Sequence, residues 1–167
     1  MSSITTLSRE RSDLRFTLDT NLLVYSMDST EGARYELARE IVDRAVDSDC
    51  CLTLQSLSEF YWATRRKSAI PREDAAAQVN DWLSLFSCVP ASPTAIRRAL
   101  ADNLRGQASY WDALLVATAS EAGCAFVLSE DMADGGMLGG VRIHNPFAGG
   151  DALTELTRQL LDIGPTR

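Results

Sequence analysis

Imidazole is almost absent from this chain. His144 is the single histidine among 167 residues, too few for histidine-based acid–base catalysis or for a zinc site built on several imidazoles. Cysteine is sparse and poorly spaced for metal: Cys50, Cys51, Cys88 and Cys124 form no ligand motif, and the first two are adjacent. Three of the four lie in or beside apolar runs, so reduced core thiols in a cytoplasmic protein are expected. No apolar run approaches the roughly 20 residues of a membrane span. The opening Met1-Ser2-Ser3-Ile4-Thr5-Thr6 lacks the apolar core of a signal peptide, so no membrane partner is expected. Positive charge is not in excess either: the net charge of −7 counts against a broad basic face for nucleic acid. That exclusion is incomplete, because four of the 23 acidic residues are candidates for one cluster that a cation would neutralise. Basic residues also bunch, in Arg65-Arg66-Lys67 and Arg97-Arg98, although solvated helix surface is the plainer reading of both.

What is present describes an ordinary globular domain. Hydrophobic residues make up 46% and charged residues 23% of the chain, enough for one sizeable core at this length. Residues 1–13 are polar and aperiodic and read as a tail. Phe16-Thr17-Leu18 predicts a short buried strand, with Asp19-Thr20-Asn21 turning into a helix. Leu37, Ile41, Val42, Ala45 and Val46 recur at helical spacing between Ala33 and Asp47. Cys51 to Leu54 reads as a second strand and Leu57 to Lys67 as a helix. Another helix starts at Ile70-Pro71, with proline at its first helical position. Cys88-Val89 suggests a strand, and Ser92-Pro93 a helix start that runs to Leu104 and ends at Gly106. The strongest helix spans Tyr110 to Ala122, closed by Gly123. Ala125 to Leu128 reads as a buried strand, Val141-Arg142-Ile143 as the last one, and Leu153, Leu156, Leu160 and Leu161 as a C-terminal helix. Strands alternating with helices predict a three-layer α/β/α fold with a mostly parallel central sheet.

Four carboxylates recur at one kind of place. Asp19, Glu59 and Asp131 each follow a predicted strand, and Asp112 lies in the first turn of the strongest helix. In open α/β sheets ligands gather outside the carboxyl ends of strands, so the four can converge despite their separation in sequence. Convergence is costly, since two like charges about 4 Å apart repel by roughly 4 kcal/mol at an effective dielectric near 20. Shared protonation or a bound cation must offset it, and an oxygen-only donor set favours Mg²⁺ or Mn²⁺. Each acid also has a local reading. Ser56-Leu57-Ser58-Glu59 and Ser109-Tyr110-Trp111-Asp112 fit capping boxes, Asp19 fits a helix cap, and Asp131 fits a turn before Gly135-Gly136.

The run Phe16-Thr17-Leu18-Asp19-Thr20-Asn21-Leu22-Leu23-Val24-Tyr25 resembles the opening motif of PIN-domain nucleases, specifically the VapC-type toxins of toxin–antitoxin pairs. Gln55-Ser56-Leu57-Ser58-Glu59-Phe60 resembles the second motif, and Tyr110-Trp111-Asp112-Ala113-Leu114-Leu115-Val116-Ala117-Thr118-Ala119 the third. Leu128-Ser129-Glu130-Asp131-Met132 resembles the fourth, and Val141 to Phe147 the closing strand. The resemblance implies a PIN-like nuclease domain over 14–148, with 149–167 a C-terminal helix and tail on the same domain. It further implies that Asp19, Glu59, Asp112 and Asp131 are both catalytic and metal ligands for Mg²⁺ (or Mn²⁺). Asn21 and Ser129 would support them, with Asp134 an outlying acid and His144 without a catalytic role.

The function so implied is hydrolysis of RNA by a metal-dependent endoribonuclease, restrained by a protein antitoxin and paired as a homodimer through the C-terminal helix or the helix from Pro71 to Phe86. Tyr61, Trp62 and Trp111 are candidates to receive the antitoxin, although core packing is expected of at least two of them. The alternative is a PIN-like module that binds RNA or protein without cutting. A phosphohydrolase with paired aspartates two residues apart is set aside, because position 21 is Asn.

Overall fold

The computed structural model describes residues 14–67 and 69–164. The tail expected over 1–13 therefore lies outside the described residues, as do 165–167 of the C-terminal segment. Within them, the alternation read from the sequence is found. Strand β1 (Phe16–Leu18) leads into helix α1 (Thr20–Tyr25), a 3₁₀ turn (Ser29–Glu31) and α2 (Ala33–Ala45). Strand β2 (Cys50–Thr53), α3 (Leu54–Lys67), α4 (Arg72–Leu85) and β3 (Ser87–Val89) follow. Helices α5 (Pro93–Leu104) and α6 (Tyr110–Glu121) then precede β4 (Phe126–Leu128), β5 (Met137–Leu138) and β6 (Val141–His144). A hairpin of β7 (Phe147–Ala148) and β8 (Ala152–Leu153) and the short helix α7 (Glu155–Leu160) close the described chain.

The main sheet has the order β3-β2-β1-β4-β6-β5 and is parallel except for β5. Its central strands β1, β2 and β4 are short and buried on both faces, as strands covered on both sides must be. Alternation within them sorts the core into layers. Phe16 and Leu18, Cys50 and Leu52, and Phe126 and Leu128 face a core that also takes Leu22, Ile41, Phe60 and Trp82. Cys51, Val127 and Ile143 face the opposite way, against Leu115, Val116 and Ala119 of α6. This is the predicted three-layer α/β/α arrangement. The thiols are free, and Cys51 Sγ lies 3.4 Å from Cys124 Sγ beneath that second face.

Local chemistry sets the element ends. Ser92 Oγ accepts from Ala95 N at 3.0 Å and starts α5 with Pro93 at its first position. Gly123, at φ +80, ends α6 in the left-handed conformation that other residues avoid. Two starts differ from expectation by a few residues. Helix α3 begins at Leu54 rather than Leu57, because Thr53 supplies the cap: its Oγ1 accepts from Ser56 N at 3.0 Å. Pro71 sits at the N-cap of α4, one place before the expected N1, with its carbonyl receiving Ala75 N at 3.0 Å. Val141–His144 is not the last strand. The β5 strand and the β7–β8 pair were not foreseen, since strands of two residues show no alternation to read.

Winding decides where a ligand can sit. From β1 the chain moves outward to β2 and β3, then returns across β1 to β4 and continues to β6. The winding reverses between β1 and β4, so a crevice opens beyond their carboxyl ends. Asp19 follows β1 there, and Ser129 follows β4.

Candidate active site

Asp19 is the best-anchored acid of the four. Its amide donates to Leu128 O at 2.9 Å, which ties it to the end of β4. It caps α1, as the local reading has it, with Oδ1 accepting from Thr20 N at 2.7 Å; Oδ2 accepts from Ser129 Oγ, also at 2.7 Å. Ser129 is fully buried, and its oxygen also accepts from Met132 N at 3.2 Å. Burial raises the pKa of Asp19, the bonds from Ser129 and Thr20 oppose the rise, and the nearby charges of Asp112 and Asp131 add to it. Asp112 and Asp131 therefore lie close enough to act on Asp19.

The structure draws all four together. Asp19, Glu59, Asp112 and Asp131 line one cleft of about 550 Å³, with Asn21, Trp62 and Trp111 also in its wall. Glu59 lies in the second turn of α3, so it is not the third residue of a capping box, and its local reading falls away. Gln55 holds it instead: Nε2 donates to Glu59 Oε1 at 2.6 Å and to Trp111 O at 2.9 Å, joining α3 to the start of α6. Asp112 does sit behind a Ser109 cap, whose Oγ accepts from Asp112 N at 3.2 Å. Among the described residues its carboxylate makes no bond back to Ser109, so the box is open and Asp112 lines the cleft.

The neighbours of Asp131 explain why it, and not Glu130, enters the cleft. Glu130 turns the other way, paired with Arg34 Nε at 2.9 Å and accepting from the Tyr25 hydroxyl at 3.4 Å. Burial, then the charge of Glu130, pushes the Tyr25 phenol up to about 12. Asp134 also leaves the site: its Oδ1 accepts from Asn145 N at 2.8 Å and lies 3.7 Å from His144 Nδ1. Of the three aromatics, only Tyr61 packs against the core. Trp62 and Trp111 are 58% and 59% exposed, which corrects the expectation that at least two would be core. The run of apolar neighbours gave no sign that these indoles face outward. Gln55 is the residue whose role was missed, and its position one turn before Glu59 was the available signal.

Hard oxygen donors, one of them buried and desolvated, suit a divalent ion of the Mg²⁺ or Mn²⁺ type. Among the described residues no three of these side chains close into a tight metal cage. The carboxylates instead border an open cleft wide enough for an ion together with water or a phosphate.

The chain matches the PIN domain family over residues 16–133 and belongs to that family. In fold it is similar to VapC20 of Mycobacterium tuberculosis, described as a toxin that cleaves the sarcin–ricin loop. The TM-score there is 0.58 at 16% identity, over 70% of this chain and 89% of the other. It is also similar to VapBC2 of Rickettsia felis bound to a promoter DNA fragment, with TM-score 0.56 and 12% identity over 78% and 97% of the two chains. DNA-bound VapBC of Salmonella typhimurium gives TM-score 0.56 and 17% identity over 78% and 96%. At these identities the likeness is one of fold. No match was found among curated protein sequences. Among the described residues no helix is long and apolar enough to cross a membrane.

Proposed function

We propose that the chain is a metal-dependent endoribonuclease, the cytoplasmic toxin of a type II toxin–antitoxin pair. The observation that supports this most directly is the meeting of Asp19, Glu59, Asp112 and Asp131 in one cleft at the switch point of a PIN fold. The site takes Mg²⁺ or Mn²⁺, which when bound acidifies a water and draws charge from a phosphate. The chain supplies the rest. Ser129 and Thr20 fix the Asp19 carboxylate, Gln55 fixes that of Glu59, and Asn21 borders the cleft beside them. Asp112 orients the attacking water and receives its proton. No side-chain nucleophile is needed, in keeping with a cleft that has neither histidine nor cysteine in its wall. Hydrolysis leaves a 5′ phosphate and a 3′ hydroxyl.

The substrate is RNA in a single strand or loop, the form in which a backbone reaches into an open cleft without a duplex partner. The exposed indoles of Trp62 and Trp111 beside the acids support a protein antitoxin lying over the site. Exposed apolar side chains elsewhere, Leu83 and Leu85 on α4 and Leu100 and Leu104 on α5, support a homodimer. Within the chain, the nuclease domain covers 14–148, and Leu153, Leu160 and Leu161 of the segment that follows pack on it.

The test is cleavage of mixed transfer and ribosomal RNA by the purified chain with Mg²⁺ or Mn²⁺, alongside EDTA and Asp112→Asn controls. Cutting abolished in both controls supports the reading. A folded, antitoxin-free chain that binds RNA and never cuts it contradicts the reading and leaves the binding module.

A further inference from the structure

Three cavities adjoin one another through shared wall residues. The carboxylate cleft shares Asp112 and Asp131 with a cavity of about 460 Å³ beside β5. That cavity shares Gln107, Met137 and Leu138 with a third, of about 510 Å³, walled by one face of α5. The third carries Arg97, Arg98 and Arg105. In a chain of net charge −7, three guanidiniums in one groove are a local reversal of sign.

The reversal is only partly cancelled. Arg105 Nη1 lies 3.6 Å from Asp102 Oδ1, while Arg97 and Arg98 have no ion pair among the described residues. Arg98 also reaches the turn between β5 and β6. Gly139, in the turn between β5 and β6, has φ +58, and a Cβ there would meet Arg98 Nη2 at 2.5 Å. The positive φ is what favours glycine there, while the guanidinium, at the end of a flexible side chain, reaches close to this turn. Ser120 Oγ donates to Gly139 O at 2.9 Å and holds that turn against the end of α6. Arg97 is exposed and Arg98 half-buried, as a solvated helix face would have them, and both line the groove.

We propose that this groove carries the backbone of the RNA strand on one side of the scissile phosphate, with Arg97, Arg98 and Arg105 contacting its phosphates. The proposal rests on the ribonuclease reading of the carboxylate cleft. A strand whose phosphate lies among four carboxylates must continue along the surface in both directions, and the adjoining cavities mark a path for it. The acids repel a polyanion, so a site of this kind needs compensating cations close by. Guanidinium suits the task, since its planar fork meets phosphate oxygens in pairs. An acidic protein segment would be drawn to the same charges, but nothing about such a segment requires continuity with the cleft.

The experiment measures fluorescence anisotropy of a short labelled single-stranded RNA with the full chain carrying Asp112→Asn, which keeps the probe intact, in Mg²⁺ over a range of KCl. The same background with Arg97→Gln, Arg98→Gln and Arg105→Gln together is expected to bind about tenfold or more weakly at low salt. Its plot of log affinity against log salt is expected to flatten by about 0.7 for each phosphate that no longer meets a guanidinium. The single variants, which keep most of the groove's charge, show smaller steps in the same direction and guard against a folding defect in the triple one. In the cutting-competent chain the triple variant raises KM and leaves kcat nearly unchanged. Equal affinity and equal salt slope in the parent and triple variants would overturn the proposal. So would a triple variant that loses poly-glutamate binding but keeps RNA binding, which assigns the groove to an acidic protein. Failure of the ribonuclease reading looks different: RNA bound through the arginines but never cut defeats the nuclease and leaves the groove standing.

Discussion

The hydroxyl of Ser129 donates to Oδ2 of Asp19 across 2.7 Å, joining the end of β4 to the end of β1 where the winding of the sheet reverses. Both groups are buried, so the bond works in a low dielectric and fixes the carboxylate on which the other three acids converge. Replacing the donor by Ser129→Ala leaves Oδ2 without it and Met132 N without an acceptor. The expected loss is about 1–3 kcal/mol of stability near neutral pH, the range for a hydrogen bond to a charged group. Ser129→Thr keeps the hydroxyl and recovers part of the loss. Urea unfolding of the three proteins measures it, and an Ala variant as stable as the parent would show that the bond anchors nothing.

Without metal, the buried charge of Asp19 opposes folding. Asp19 is held above its ordinary value chiefly by burial, with Asp112 and Asp131 adding to the rise. Asp19→Asn removes a charge that the folded state disfavours. In EDTA the variant is expected to melt at or above the temperature of the parent, and with Mn²⁺ the order reverses, because only the parent retains the full ligand set. Thermal melts in the two buffers check both halves.

His144 makes stability depend on pH in a defined direction. Burial lowers its pKa and the charge of Asp134 only partly offsets that. Since the folded value lies below the unfolded one, the unfolded chain takes up a proton first as the pH falls. Stability is therefore lost from the ordinary histidine range downward and levels off below the folded value. The difference in urea midpoint between the parent and His144→Gln should shrink on going from about pH 7.5 to about pH 5.5. A constant difference would contradict the assignment.

Phe60 separates fold from function on α3. It is fully buried one residue after Glu59, with its ring 4.8 Å from that of Trp82 at 69°. Phe60→Ala is expected to cost about 3–5 kcal/mol, and Phe60→Leu under about 2 kcal/mol with repacking. Where the Leu variant stays folded, Mn²⁺ affinity should be unchanged. Denaturant unfolding and metal titration of the same samples read the two effects apart.

Much of this architecture was legible in the sequence, because the centre of the sheet is built from strands buried on both faces and the helices carry clear stops. Phe16-Thr17-Leu18 and Ala125 to Leu128 are apolar and bounded by polar turns, while Ser92-Pro93 and Gly123 mark helix ends. That the acids follow strands, with Ser129 in support, was read from the βαβ pattern and the resemblance of four motifs. The winding reversal that sets Asp19 beside Ser129 is shown only by the fold. The start of α3 is misread from sequence because Ser56 offers a better-looking cap than Thr53, and only the fold shows which hydroxyl is used. Nothing in sequence distinguishes Trp62 and Trp111 from core aromatics: Trp82 has the same kind of neighbours and is buried. The arginine groove was also hidden, since it depends on β5, a strand of two residues, and on Gly139 meeting Arg98 across 41 positions of chain.

The central claim is that Asp19, Glu59, Asp112 and Asp131 act together as a divalent-ion site. Calorimetric titration of Mn²⁺ into the purified chain, repeated with Asp19→Asn, Glu59→Gln, Asp112→Asn and Asp131→Asn, tests it most directly. The prediction is saturable binding by the parent, weakened about tenfold or more in each variant, in line with the loss of a charged ligand. Binding of equal strength in the parent and all four variants would contradict the claim, because the cleft would then owe nothing to the carboxylates that define it.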